Sequence, residues 1–149
     1  MTSQEADERT RQFIDSHRVA RLATVDASGR PMVVPICYVF DGGRFYSAID
    51  EKPKTVSEDR LKRLTNLAVN PRVSLLIDDY SEDWTQLAYV LIQGLAEAIE
   101  PDGVDAGEHV KAVDLLRDKY PQYRGMAIDS RPIIRIEVTR VKHWSSMGD

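Results

Sequence analysis

Between residues 19 and 49, runs rich in Val, Ile, Tyr and Phe alternate with short segments of turn chemistry, a spacing that predicts an antiparallel meander. The first run covers residues 19–26 and is followed by Ala27-Ser28-Gly29-Arg30, a turn in which glycine supplies a conformation other residues resist. The second run covers residues 31–40 and the third residues 44–49, joined by Asp41-Gly42-Gly43, a strong hairpin signal. Pro31 and Pro35 have no amide hydrogen to give to a ladder. That part of the second strand therefore belongs at a sheet edge, at a bulge or beside a bound group.

Around this meander the pattern predicts three helices and three further strands. Residues 3–17 read as a thinly apolar surface helix (Ala6, Phe13, Ile14), with Thr2 and Glu5 at capping-box spacing. Residues 50–54 read as a loop. A helix over 56–69 follows, with Thr55 and Glu58 again at capping-box spacing and Leu61, Leu64, Leu67 and Ala68 as its core stripe. Asn70-Pro71 stops it. A fourth strand covers 73–77, an acidic loop 78–83 and a long fifth strand 87–100, in which Gly94 suggests a bulge or a close backbone approach. Pro101-Asp102-Gly103 breaks that strand; a helix over 105–119 carries Val110, Val113, Leu115 and Leu116 and ends at Tyr120-Pro121; residues 133–144 form the last strand.

Six strands with helices between them predict a mainly β, α+β architecture: a six-stranded antiparallel split barrel with peripheral helices, or, by pattern alone, an open α+β sheet. The 149 residues suit one domain, with residues 1–17 as its N-terminal helix and 19–144 as the barrel with its inserted helices. The net charge of −4 argues against a general nucleic-acid binder. One cysteine, Cys37, makes no internal disulfide and no metal framework. The first twelve residues are polar and charged, and no apolar run approaches the roughly 20 residues of a spanning helix. The expectation is a cytoplasmic protein with no membrane or nucleic-acid partner.

The richest chemistry lies at Lys52-Pro53-Lys54-Thr55, followed by Ser57, Arg60, Lys62 and Arg63. A helix start offers unpaired amides and partial positive charge, so these residues could surround a phosphate. The same cluster also reads as a solvated basic face with ordinary caps, partly offset by Glu58 and Asp59. Pro35-Ile36-Cys37-Tyr38 either backs a flat ring with free backbone groups or is an edge strand with a buried thiol. His17, His109 and His143 lack neighbours at metal-ligand spacing and read as structural. Trp84, Tyr89 and Trp144 could line a pocket or pack a core or interface. Asp78, Asp79, Glu82 and Asp83 read as a solvated loop rather than a cation site.

Taken in order, Arg21-Leu22-Ala23-Thr24-Val25, Gly29, Pro31-Met32-Val33-Val34-Pro35, the Gly hairpin, Phe45-Tyr46-Ser47-Ala48, Lys52-Pro53-Lys54, residues 60–67 and Asn70-Pro71-Arg72-Val73-Ser74-Leu75 resemble the pyridoxamine 5′-phosphate oxidase-like split-barrel superfamily. Asp79-Tyr80, Asp83-Trp84 and Tyr120-Pro121-Gln122-Tyr123 resemble its branch of deazaflavin-dependent oxidoreductases. The likeness runs from about Phe13 to Trp144, and its specificity lies in the order and spacing of the motifs.

The resemblance implies an FMN-binding type of split barrel and a homodimer with two equivalent cofactor sites, each built from both subunits. It places a cofactor ring near Pro35, Ile36, Cys37, Ser47 and Ala48, and a phosphate near Lys52, Lys54, Thr55, Arg60 and Lys62, with Trp84 or Gln93 reaching in from the other copy. Members of the superfamily bind FMN, coenzyme F-420 or heme. F-420 carries a phosphodiester and a polyglutamate tail, and the basic residues here favour it over FMN. The implied activity is hydride transfer between F-420 or a flavin and a small unsaturated or heterocyclic substrate, with Tyr38 the nearest candidate for a general acid. The alternatives are a cofactor-binding or storage protein without turnover, and an FMN- or heme-linked relative. The substrate-phosphate signature of pyridoxamine 5′-phosphate oxidase itself is not visible in residues 133–149.

Overall fold

The computed structural model of the chain describes residues 3–49 and 58–148, with side chains from residue 7 onward in the first segment and from residue 62 in the second. Helix α1 (Ser3–Ser16) precedes β1 (Ala20–Val25) and β2 (Pro31–Ile36). Then come β3 (Val39–Phe40), β4 (Arg44–Ala48), α2 (Glu58–Val69), β5 (Arg72–Asp79), β6 (Ala88–Ile99), α3 (Ala106–Lys119) and β7 (Ile133–Ser145). Short 3-10 turns lie at Trp84–Gln86, Pro121–Gly125 and Ile128–Ser130.

The described strands form one antiparallel sheet in the order β2-β1-β5-β6-β7-β4-β3. The strand count is seven rather than the expected six, because the second run is interrupted at Cys37 and Tyr38. The Tyr38 amide donates to the Tyr120 hydroxyl at 3.0 Å instead of to a neighbouring strand. Its ring is fully buried and its hydroxyl donates to the Ile14 carbonyl at 2.5 Å. β2 and β3, two residues apart in the chain, consequently stand at opposite ends of the strand order. The sheet must curl until its two edges approach each other, which is the split of the barrel. The edge position of β2 is one of the settings its prolines allow.

The turns carry their expected chemistry. Gly29 and Gly42 adopt φ of +82° and +102°, a left-handed conformation that glycine takes without steric cost. The Asp41 carboxylate accepts the Gly43 and Arg44 amides and so fixes the hairpin between β3 and β4.

Inside the curl, Leu22, Leu75, Ile77, Val90, Ile92, Ile134 and Ile136 pack with Ile14 of α1 and Leu67 of α2. A second cluster packs Ala112, Val113 and Leu116 of α3 against Tyr46, Ala48 and Ile133. The buried face of α3 is His109, Ala112, Val113 and Leu116, whereas Val110 is exposed. Among the described residues no helix is long and apolar enough to cross a membrane.

Candidate functional site

Strand alternation builds the outer face of the sheet. β5 buries Val73, Leu75 and Ile77, which turns Arg72, Ser74 and Leu76 to the other side. Register then sets Arg21 beside Leu76 and Ala23 beside Ser74. Leu76 lies beside Leu91 and Ser74 beside Gln93. On β2, Val33 stands opposite Ala23 and is 61% exposed. The result is a largely apolar surface crossed by a polar row, Ser74, Gln93 and Arg140.

Two open grooves cut this region. One, of about 460 Å³, is lined by Val25, Pro31, Arg72, Ser74, Gln93 and Thr139 among others. The other, of about 560 Å³, runs between the end of α2 and strands β6 and β7, with Leu64, Leu67 and Pro71 on its apolar side and Glu97, Arg135 and Glu137 on its polar side. Leu95 borders both, so they adjoin as one trough. Beside the trough β6 shifts register between Gln93 and Gly94. The Thr139 hydroxyl donates to the Gln93 carbonyl there at 3.1 Å.

The residues singled out in the sequence fall into distinct settings. Pro35 is exposed on the outer face of the edge strand, opposite Arg21. Ile36, Ser47 and Ala48 have buried side chains, so only their main chain can face a bound group. Cys37 is half-buried in the gap between β2 and β3, and its carbonyl accepts the Ser47 hydroxyl at 2.8 Å. Gln93 is exposed in the trough. Trp84 is 70% exposed on its 3-10 turn, well outside the core. Lys52, Lys54 and Thr55 lie outside the described residues, and Arg60 falls in α2, where only its backbone is described.

Lys62 is exposed on α2. The Asp26 carboxyl is held below its usual range first by the Arg30 amide, with burial opposing, and then by the Ser28 amide and the charges of Arg30 and, least, Lys62.

Tyr38 does not fit the part of a general acid. Burial, the main cause, together with Tyr120 and Asp15, raises its pKa well above the usual tyrosine value, and its proton is committed to the Ile14 carbonyl.

The three histidines are tied into the fold. The His17 ring lies 2.6 Å from both the Phe13 carbonyl and the Asp79 carboxylate. The buried His109 ring lies 2.7 Å from the Arg131 carbonyl, and His143 lies 2.9 Å from the Thr10 hydroxyl. Asp78 pairs with Arg21 at 3.0 Å, and Asp83 accepts the Thr85 amide. Tyr89 and Trp144 stack on each other at 5.6 Å. Among the described residues no group of His, Cys, Asp and Glu is arranged to hold a metal ion.

Sequence reasoning missed Arg72, Ser74 and Thr139 as trough residues. Alternation places Arg72 and Ser74 on one face, but only the register brings that face beside Gln93. It also missed the hub at Glu108, whose carboxylate meets Arg44 and Arg135 at 2.8 Å each and the Tyr46 hydroxyl at 2.5 Å.

A curled antiparallel sheet, split between β2 and β3 and carrying helices on its rim, is a split-barrel protein. The chain belongs to the pyridoxamine 5′-phosphate oxidase family, whose model matches residues 6–145. It is 26% identical over 138 residues to the 5a,11a-dehydrotetracycline/5a,11a-dehydrooxytetracycline reductase of Streptomyces rimosus, covering 92% of this chain and 81% of the relative. Among solved structures it resembles the heme storage protein HutZ from Vibrio cholerae, with a TM-score of 0.70 and 17% identity over 93% of this chain and 92% of the other. It also resembles an F420 reductase, with a TM-score of 0.58 and 23% identity over 88% of this chain and 94% of the other.

Proposed function

We propose that this chain is an oxidoreductase that moves a hydride between coenzyme F-420 and a small unsaturated or heterocyclic substrate, working as a homodimer with a cofactor site at each end of the subunit contact. The observation that carries this reading is the 26% identity to a reductase, sustained over 92% of the chain. The F420 reductase of similar fold supports F-420 over FMN, as does the density of basic residues between Lys52 and Arg63.

The local structure suits such a group. β2 pairs only with β1 among the described strands, which leaves its other edge available to a planar ring along Pro35, Ile36 and Cys37. In this reading Lys52, Lys54, Thr55, Arg60 and Lys62 grip the anionic tail. When bound, the deazaflavin supplies the carbon that gives or takes the hydride. The protein orients the ring, shields it from water and neutralises the tail. With Tyr38 committed to the core, solvent is the proton source.

The subunit contact is assigned to the outer face of β2, β1, β5 and β6. Val33 and Leu95 are 61% and 46% exposed in the single chain, and Leu76 and Leu91 lie side by side on the same face. A second copy seated there would cover this surface and bring its Gln93 and Trp84 toward the first copy's ring.

Mixing the purified protein separately with F-420, FMN and heme, then removing free ligand by gel filtration, tests the reading through absorption spectra. Retention of about one F-420 per chain is expected, followed by oxidation of its reduced form by a suitable substrate. Retention of heme or FMN with loss of F-420 would overturn the cofactor assignment. F-420 held tightly with no turnover on any unsaturated substrate would make the chain a carrier.

A further inference from the structure

The ladder between β1 and β5 is short. It pairs Arg21, Leu22 and Ala23 with Leu76, Leu75 and Ser74 and stops there, although β1 runs on to Val25 and β5 begins at Arg72. The groove of about 460 Å³ opens where the pairing ends. Its lining accordingly mixes outward residues, Arg72, Ser74 and Gln93, with Thr24 and Val73, whose side chains belong to the buried face.

Thr24 is the informative member. It is 1% exposed, and its hydroxyl has no hydrogen-bond partner among the described residues. An unpaired buried hydroxyl weakens a fold, and a valine of nearly the same shape would avoid that cost. In a groove wall, such a hydroxyl is matched by a polar atom that a ligand brings.

The charge beside it is positive. Among the described residues no carboxylate lies within ion-pair distance of Arg72, or of Arg140, which stands opposite Gln93 on the same outward face. The acidic residues of the trough, Glu97 and Glu137, line the adjoining groove, and Glu97 is held by Arg135 at 2.9 Å. The groove at Thr24 thus joins an unpaired guanidinium, an unpaired hydroxyl and an amide to an apolar wall of Val25, Pro31 and Leu95. A carboxylate on an apolar skeleton matches that set: a guanidinium takes carboxylate oxygens in charge-assisted hydrogen bonds, and hydroxyl and amide groups donate to the same oxygens.

We propose that this groove binds the organic substrate and that the substrate is a small unsaturated carboxylic acid. Arg72 takes the carboxylate, Thr24 and Gln93 hydrogen-bond its oxygens, and Val25, Pro31 and Leu95 cover the carbon skeleton. Arg72 and Thr24 are then specificity-determining residues, because a ligand lacking the acid leaves both without a partner. The use made of the acid rests on the oxidoreductase reading. A second copy seated on the outer face would roof the groove and exclude water from it.

Isothermal titration calorimetry of the purified full chain with cinnamate, cinnamamide and cinnamylamine, without cofactor and again with saturating F-420, tests the site. Cinnamate is expected to bind with a Kd of about 1 mM or tighter, the amide about tenfold more weakly and the amine not measurably. Arg72→Gln should abolish the preference for acid over amide. Thr24→Val should weaken cinnamate about tenfold while raising the urea midpoint of the free chain, since an unpaired buried hydroxyl is gone. Equal binding of acid and amide, no cinnamate binding in either state, or unchanged cinnamate binding by the Thr24→Val chain would overturn the proposal. The polyglutamate tail of F-420 offers carboxylates too, and F-420 retention by the Arg72→Gln chain separates the two sources. It should be unchanged; a loss parallel to that of cinnamate would give the groove to the cofactor's tail and overturn the substrate assignment. Cinnamate bound in preference to its amide by a chain that retains FMN or heme instead of F-420 would support this site while the cofactor reading falls.

Discussion

Gly94 of β6 faces the main-chain carbonyl of Glu137 on β7 so closely that a Cβ at Gly94 would lie 2.4 Å from that oxygen and 2.8 Å from a methyl group of Ile136. Real side chains do not approach backbone at such a distance, so the contact reserves this position for glycine. Because the register slips between Gln93 and Gly94, the same contact sets the phase in which Gln93 is presented to the trough. Gly94→Ala should force β6 and β7 apart at the bulge and cost about 2–4 kcal/mol. Urea unfolding would show it as a lower midpoint at unchanged slope. An unchanged midpoint would mean that the bulge relaxes freely and does not fix Gln93.

The two hairpins were legible in the sequence because their demand is local, and Gly94 showed as a glycine inside a strand run although the carbonyl it makes room for, that of Glu137, lies on β7. Pro31 and Pro35 narrowed their strand to an edge, a bulge or the side of a bound group, again from local chemistry. The break at Cys37 and Tyr38 was not legible, because the group that takes the Tyr38 amide, Tyr120, lies 82 residues along the chain. A run of Val, Ile, Tyr and Phe reads as one strand until that distant hydroxyl is placed beside it. The site divides along the same line. Gln93 came from the resemblance, and Ser74 and Arg72 join it only through the pairing of β5 with β6. Ile36, Ser47 and Ala48 came from resemblance, and their burial limits them to main-chain contacts.

Val33 tests the subunit contact. It is exposed on the outer face of the edge strand, so Val33→Glu should leave the single-chain fold nearly as stable, within about 0.5 kcal/mol. A carboxylate there would be buried without a partner if a second copy covers this face. Sedimentation at micromolar concentration should report a dimer for the parent chain and a monomer for the variant, and cofactor retention should fall with the dimer. A variant that stays dimeric would move the contact elsewhere. A monomeric parent that still binds cofactor would contradict a shared site.

Charge reversal tests the anionic tail. Lys54→Glu and Arg60→Glu should each weaken F-420 binding by about tenfold or more, and the loss should shrink at high salt because it is electrostatic. Circular dichroism should be unchanged. Affinity indifferent to both substitutions would remove these residues from the site. A loss for F-420 but not for FMN would tie them to the longer, more anionic tail.

Glu108 governs a different property, the acid stability of the joint between α3 and the sheet. Burial of its carboxyl acts to raise the pKa, but hydrogen bonds from Tyr46, Arg135 and Arg44 outweigh it and hold the group below the usual glutamate range. A carboxyl whose pKa is lower in the folded chain than in the unfolded one stabilises the fold above the unfolded value. That stabilisation drains away as the pH falls through the folded value. Denaturant midpoints should therefore drop as the pH is lowered from about 4.5 through the acid range. Glu108→Gln should lower stability near neutrality by about 1–3 kcal/mol, since Arg44 and Arg135 lose a shared counter-ion in a partly buried setting. It should also flatten the acid limb of the curve. If the variant keeps the full acid dependence, other carboxylates carry it, and the ties from Glu108 to Arg44, Tyr46 and Arg135 are geometric rather than energetic.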